Sequence, residues 1–244
     1  MKVIIVGGVA GGATAAARLR RNDENAEIII FERTGYISYA NCGLPYYIGG
    51  VITDRRALTL QTPESFGRRF NVDVRVRCEV TDIDTERKTV KVRELNGGRE
   101  YDESYDKLLL SPGAKAAVPP VPGAGGDRTF TLRTVEDTFA IYDFAGKTDA
   151  KKAVIAGGGF IGLETAENLM RRGIAVTLLQ RGTHVMPPFD GDMAEVLHAY
   201  LRAQGLDLRL GVNVAAFEAD GGGITIRTDC GDVRADFAVI ATGV

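Results

Sequence analysis

The sequence predicts an α/β chain built on two βαβ units with β-rich insertions, and three observations carry that expectation. An apolar strand pattern runs into a glycine cluster and then a helical pattern at Lys2–Arg21, and the same order returns about 150 positions later, from Ala153 to Arg172. An acidic residue, Glu32, ends the strand that follows the first cluster. Glycine makes up 30 of 244 residues, above the usual share of about 7%, and much of the excess lies in these clusters.

Lys2–Val6 is a continuous apolar run, the pattern of a strand buried on both faces. Ala13–Arg21 places apolar residues on one face and arginines on the other, a helix, and Glu27–Phe31 is a second buried strand. The segments Val72–Val76, Val80–Ile83, Thr89–Val92 and Lys107–Leu110 read as short strands. Residues 112–126 hold four prolines and four glycines, a linker composition that sets a boundary. A helix is expected at Val135–Phe144, then strand Ala153–Ala156, glycines from Gly157 to Gly162, helix Leu163–Arg172 and strand Ala175–Leu179. Asp192–Gln204 is a further helix, followed by a β-rich stretch whose last strand, Phe237–Ile240, enters Ala241-Thr242-Gly243-Val244. The expected division is a first domain at 1–113, a linker and helix at 114–150, and a second domain at 151–240, with 241–244 returning to the first.

Lys and Arg number 30 against 32 Asp and Glu, a net charge of −2, which excludes a nucleic-acid binder driven by phosphate neutralisation. Cys42, Cys78 and Cys230 are an odd, scattered set, neither a disulfide framework nor a zinc site, and point to a reducing, cytoplasmic setting. The N-terminus lacks a signal-peptide pattern. Between Arg33 and Asp54 no residue is charged, but Pro45, four glycines and four tyrosines interrupt the run, so it reads as the wall of a buried site rather than a membrane span. The two histidines, His184 in a loop and His198 in a helix, are expected to be neither bases nor metal ligands, and no metal is expected.

Gly157-Gly158-Gly159-Phe160-Ile161-Gly162 fits the GxGxxG fingerprint of a Rossmann-like dinucleotide-binding unit. Its first glycine permits the tight turn, the second admits the pyrophosphate to the backbone, and the third lets helix pack on strand. The free N–H groups and dipole of the helix N-terminus then attract the phosphates. The first loop, Gly7-Gly8-Val9-Ala10-Gly11-Gly12, has Val9 in place of the second fingerprint glycine, and Glu32, 20 residues beyond Gly12, is placed to accept hydrogen bonds from a ribose diol. The second unit has no such acid. Gln180 can bond a 2′-hydroxyl and Arg181 can pair with a 2′-phosphate, so the residues leave NADH and NADPH both open.

In Ser38-Tyr39-Ala40-Asn41-Cys42-Gly43-Leu44-Pro45-Tyr46, Asn41 is expected to cap a helix that Pro45 tolerates in its first turn, which puts Cys42 at a helix N-terminus as a nucleophilic thiol. A buried structural cysteine is the alternative. With the two glycine loops and the closing Ala241-Thr242-Gly243, these residues resemble the flavin-dependent pyridine nucleotide-disulfide oxidoreductases, whose fold is glutathione-reductase-like. Within them they are similar to coenzyme A-disulfide reductases, including those fused to a rhodanese domain and acting on persulfides.

The resemblance implies FAD in the first loop, NADH or NADPH in the second, and Cys42 as a single redox-active cysteine. Tyr47 stands five positions after Cys42, where paired-cysteine reductases have their second thiol. A lone cysteine must cycle through a mixed disulfide or a sulfenic acid. Ala10 stands where related peroxidases and oxidases carry a histidine. Resemblance assigns Thr14, Arg18, Arg21, Ser38 and Asn41 to the coenzyme A substrate, and Arg33, Asn41, Val80, Ser111, Pro112, Gly113 and Gly243 to the cofactors. It also implies a homodimeric parent and a chain that stops short of a flavin-binding segment and dimerisation domain. The rival expectations are an NAD(P)H oxidase or peroxidase working through a sulfenic acid, and a nucleotide-binding fragment without redox chemistry.

Overall fold

A computed structural model describes residues 1–244, which divide into two compact units. One comprises residues 1–40 and 55–114; the other comprises residues 115–244 together with 41–54, the segment that holds helix α2 (Leu44–Ile48).

The first unit contains β1 (Lys2–Val6), α1 (Ala10–Asn22), β2 (Glu27–Glu32), α3 (Pro63–Phe70), β3 (Asp73–Val76), β4 (Cys78–Asp84), β5 (Thr89–Glu94), β6 (Glu100–Ser104) and β7 (Lys107–Leu110). A parallel sheet in the order β3-β2-β1-β7 has apolar central strands because both of its faces are covered. Val3, Ile5, Ile28 and Ile30 pack with Ala13 and Ala16 of α1 and Phe66 of α3. The alternate residues Ile4, Ile29 and Phe31 meet Val90 and Val92 of the antiparallel sheet β4-β5-β6. Arg20 fastens α1 from its solvent side, donating to the carbonyls of Phe70, Asp23, Glu24, Ala26 and Asn71.

The second unit contains β8 (Thr129–Thr131), α4 (Val135–Lys147), β9 (Lys152–Ala156), α5 (Phe160–Arg171), β10 (Ala175–Gln180), α6 (Gly191–Ala203), β11 (Asp207–Leu210), β12 (Val214–Asp220), β13 (Gly223–Thr228), β14 (Val233–Ala235) and β15 (Phe237–Ile240). Its parallel sheet runs β11-β10-β9-β15-β8, and the antiparallel sheet β12-β13-β14 covers Val154, Ala156, Ala238 and Ile240 with Phe217, Ile224 and Ile226. The short α2 packs against α4 and α5. Tyr47 meets the rings of Phe139 and Tyr142 at 5.4 and 4.9 Å, and Gly49 lies so close to Asn168 that a Cβ there would overlap the amide.

The α/β class and both βαβ repeats are as expected from the glycine spacing. Both glycine-loop helices begin earlier than expected, at Ala10 and Phe160, because the loop residues themselves form the first turn. The proline- and glycine-rich stretch is not a free linker. Pro122 O accepts from Phe217 N at 2.8 Å, and Val121 and Ala124 pack on the core of the second unit. Helix α3 is legible only in retrospect, from Thr62 and Ser65, which form a reciprocal capping box around Pro63. No helix is long and apolar enough to cross a membrane.

Candidate functional site

The two glycine loops are built on one hydrogen-bond plan. Gly7 N donates to Phe31 O and Gly157 N to Leu179 O, each at 2.8 Å. Gly8 N donates to Glu32 Oε2 at 2.8 Å, and Gly158 N to Gln180 Oε1 at 2.9 Å. Ser38 N returns to Gly8 O at 3.1 Å and Met186 N to Gly158 O at 2.8 Å, both from left-handed residues. Gly7 and Gly157 have φ of +96° and +115°, and a Cβ on either would overlap a carbonyl, of Ser111 or Ala241 respectively. Gly12 and Gly162 sit against the carbonyls of Gly7 and Gly157, with no room for a side chain.

Whether these loops fit a dinucleotide is decided at the helix ends. Helices α3 and α4 close their first turns with capping boxes, whereas α1 and α5 have no side-chain cap and no acid in the first turn. Their leading N–H groups are left for a phosphate. Gly159 adds a second sign. Its backbone is extended and no atom lies within 4 Å of where its Cβ would be, so the fold itself does not require glycine there. The bare backbone there leaves room for a pyrophosphate to approach. Val9 occupies the matching position in the first loop as N-cap of α1.

Glu32 is buried, with its second oxygen accepting from Thr34 N at 2.7 Å, yet a carboxylate retains lone pairs for a ribose. Arg33 is exposed and lies 3.8 Å from Glu79. Gln180 is pinned at both ends, its Nε2 donating to His184 O at 3.1 Å, and Arg181 beside it is exposed. Ser111, Pro112 and Gly113 follow β7 just as Ala241, Thr242 and Gly243 follow β15, with left-handed glycines at both 113 and 243. Gly243 O accepts from Ala117 N at 2.9 Å within the second unit. Val80 and Pro112 line a cleft of about 410 Å³ with Val6 and Leu110. Thr14 and Ser38 line another of about 440 Å³ with Ala10, Tyr39 and Arg69. Arg18 and Arg21 are exposed on α1, with no ion pair, in contrast to the fully bonded Arg20.

Cys42 is exposed and borders a cavity of about 330 Å³ with Asn41, Arg133, Phe160, Ile161 and Glu164. It lies within a 3₁₀ turn, Asn41–Gly43, that leads into α2. The expected cap is not formed: Gly43 is the N-cap of α2, and the Asn41 Oδ1 instead accepts from Arg133 at 3.4 Å, because the 3₁₀ turn has already taken Asn41 into the helical path. Sequence reasoning missed Arg133 and Glu164. Glu164 stands one turn after Phe160 on α5, so helical spacing from the glycine loop is the signal that would have found it. Burial holds its carboxyl above the usual range, with Glu167 adding to the effect. Cys78 is buried and pushed up by burial, while Cys230 is exposed and pushed up by its hydrogen bond to Asp229.

Comparison with known proteins agrees with this geometry. A family model described as pyridine nucleotide-disulphide oxidoreductase matches residues 1–244. A coenzyme A disulfide reductase of Staphylococcus haemolyticus is 39% identical over 243 residues, covering 100% of this chain and 53% of that protein. The solved structure of reduced Bacillus anthracis CoADR-RHD superposes with a TM-score of 0.95 at 46% identity, over 99% of this chain and 43% of that one. A NAD-dependent persulfide reductase from A. fulgidus gives 0.95 at 34% identity, over 100% of this chain and 46% of its own. The chain thus spans about half the length of the curated relatives it matches. Over that span, with its duplicated glycine loops and uncapped loop helices, it belongs to the pyridine nucleotide-disulphide oxidoreductase family.

Proposed function

We propose that this chain is the nucleotide-binding part of a flavin-dependent NAD(P)H oxidoreductase that reduces coenzyme A disulfide or a persulfide through Cys42. FAD is received by Gly7–Gly12, Glu32 and the Ser111–Gly113 turn, and the nicotinamide dinucleotide by Gly157–Gly162, Gln180 and Arg181. When bound, the two cofactors supply the electron pair. The observation that carries the reading is the exposed thiol of Cys42 in a cavity shared with Phe160 and Ile161, the first residues of the helix whose N-terminus would hold the nicotinamide dinucleotide.

Cys42 acts as its thiolate. It attacks one sulfur of the substrate disulfide, the S–S bond breaks, one thiol leaves, and a Cys42–substrate mixed disulfide remains to be reduced by two electrons. Arg133 steadies the turn through Asn41. Arg18 and Arg21, three apart on one helical face and free of protein partners, suit the phosphates of a coenzyme A nucleotide. The names of the similar proteins, coenzyme A disulfide reductase and persulfide reductase, support this substrate class.

The test is made in the whole protein with FAD and NADPH. Cys42→Ser should abolish reduction of coenzyme A disulfide while leaving flavin content intact. Arg18→Ala with Arg21→Ala should raise KM for coenzyme A disulfide about tenfold and leave a small disulfide lacking phosphates unaffected. Continued disulfide reduction by Cys42→Ser would overturn the cysteine mechanism, and an equal KM change for both substrates would overturn the coenzyme A assignment.

A further inference from the structure

The glycine loop of the second unit is held from behind by a buried histidine that the proposed chemistry does not use. His198, on α6, is 0% exposed. Its Nε2 accepts a hydrogen bond from Val185 N at 3.1 Å. That nitrogen therefore carries no proton, and the ring hydrogen resides on Nδ1. Glu195 Oε1, one turn back on α6, lies 3.3 Å from Nδ1 without the alignment of a hydrogen bond.

The segment that His198 holds is the strap closing the loop. Met186 N donates to Gly158 O, and a Cβ on Gly158 would fall 2.8 Å from Val185 Cγ1. Gln180, which accepts from Gly158 N, donates to His184 O. Residues 184–186 thus close around Gly158 by a hydrogen bond and by packing, and Val185 N–H, buried among them, has His198 as its acceptor. The first unit shows what differs. There Ser38 plays the part of Met186 and Ile37 that of Val185. Glu32, with two carboxylate oxygens, holds both Gly8 N and Thr34 N. In the second unit the Val185 N–H of the strap takes its acceptor from α6.

We infer that His198 is a positioning residue for the nicotinamide dinucleotide: as a neutral acceptor for Val185 N–H it fixes the 184–186 strap against Gly158 and so keeps the phosphate loop in its binding shape. The inference rests on the proposal that Gly157–Gly162 binds NAD(P)H. The experiment titrates the full 244-residue chain and its His198→Gln and His198→Leu variants with NADH, followed by nicotinamide fluorescence, and measures amide exchange of residues 184–187. A glutamine oxygen can accept in place of Nε2, whereas leucine fills the space without an acceptor. Loss of the acceptor for a buried N–H should weaken NADH binding about tenfold in His198→Leu, with faster exchange at Val185 and Met186, while His198→Gln stays within about threefold of wild type. FAD binding, carried by the first unit, should be equal in all three. Without any variant, Val185 in the wild-type chain should exchange far more slowly than the exposed amides of the 181–190 loop. Wild-type affinity in His198→Leu, equal losses in both variants, or rapid exchange of Val185 in the wild type would overturn the inference. Absence of NADH binding by the wild-type chain would instead overturn the nucleotide assignment, and the inference with it.

Discussion

Three cysteines of one chain differ in what surrounds them, and reactivity follows the surroundings rather than the residue type. Cys78 is buried under the first unit's sheet and Cys230 is exposed but bonded to Asp229; in both, the thiol is held above its usual range. A thiol reagent meets thiolate, so at neutral pH both should react slowly, and both should speed up as pH rises into the alkaline range. Timed alkylation with mass-spectrometric mapping at neutral pH should find Cys42 modified at least about tenfold faster than either. A faster Cys230 would remove the basis for choosing Cys42. Gln180 yields a second prediction at this scale. Gln180→Glu retains the acceptor for Gly158 N, turns a lone pair toward His184 O in place of the lost donor, and adds a charge that repels a 2′-phosphate. Stability should fall by about 1–3 kcal/mol, and the ratio of NADH to NADPH affinity should rise. If the parent already prefers NADH by about a hundredfold, equivalent to roughly 2.7 kcal/mol, the reading of Gln180 and Arg181 is wrong.

Helix α2 has only five residues, too few to be stable alone, and exists because α4 and α5 hold it. Arg172 spans the junction, lying 4.4 Å from the Tyr142 ring with its guanidinium toward Ile48 O. Gly49 is the point of closest approach. Gly49→Ala would drive a Cβ into the Asn168 amide, so α2 must lift from α5, at a penalty of about 1–3 kcal/mol. Urea unfolding should register that loss, and the Cys42 alkylation rate should change while that of Cys230 stays constant. A neutral Gly49→Ala would mean that the contact yields without displacing the helix.

The molecule repeats one solution twice, and the repetition can be tested as a double dissociation. Gly12→Ala and Gly162→Ala each place a Cβ on the carbonyl that begins their own loop. A ligand at about 100 times its dissociation constant adds roughly 2.7 kcal/mol to stability, so thermal unfolding should reveal each cradle separately. Gly12→Ala should lose the shift produced by FAD and keep that produced by NADH; Gly162→Ala should do the reverse. If a single variant loses both shifts, the assignment of one ligand to each loop fails.

The sequence by itself determined the α/β class, the two βαβ units and the residues of both glycine loops. Each of those signals is local: a strand's apolar run, a turn only glycine can make, a helix pattern directly after it. It also singled out Cys42, through the residues that flank it. Tertiary structure decided the surroundings of that cysteine. Arg133 lies 92 positions from Asn41 and Glu164 sits on another βαβ unit, and they share a cavity with Cys42 only because α2 is packed with α4 and α5. The sequence places His198 in a helix as neither base nor metal ligand and shows nothing more for the same reason: its acceptor role exists only once α6 lies beneath the Val185 amide. Long-range contacts of this kind depend on where whole elements pack, and a single chain's local periodicity carries no record of them.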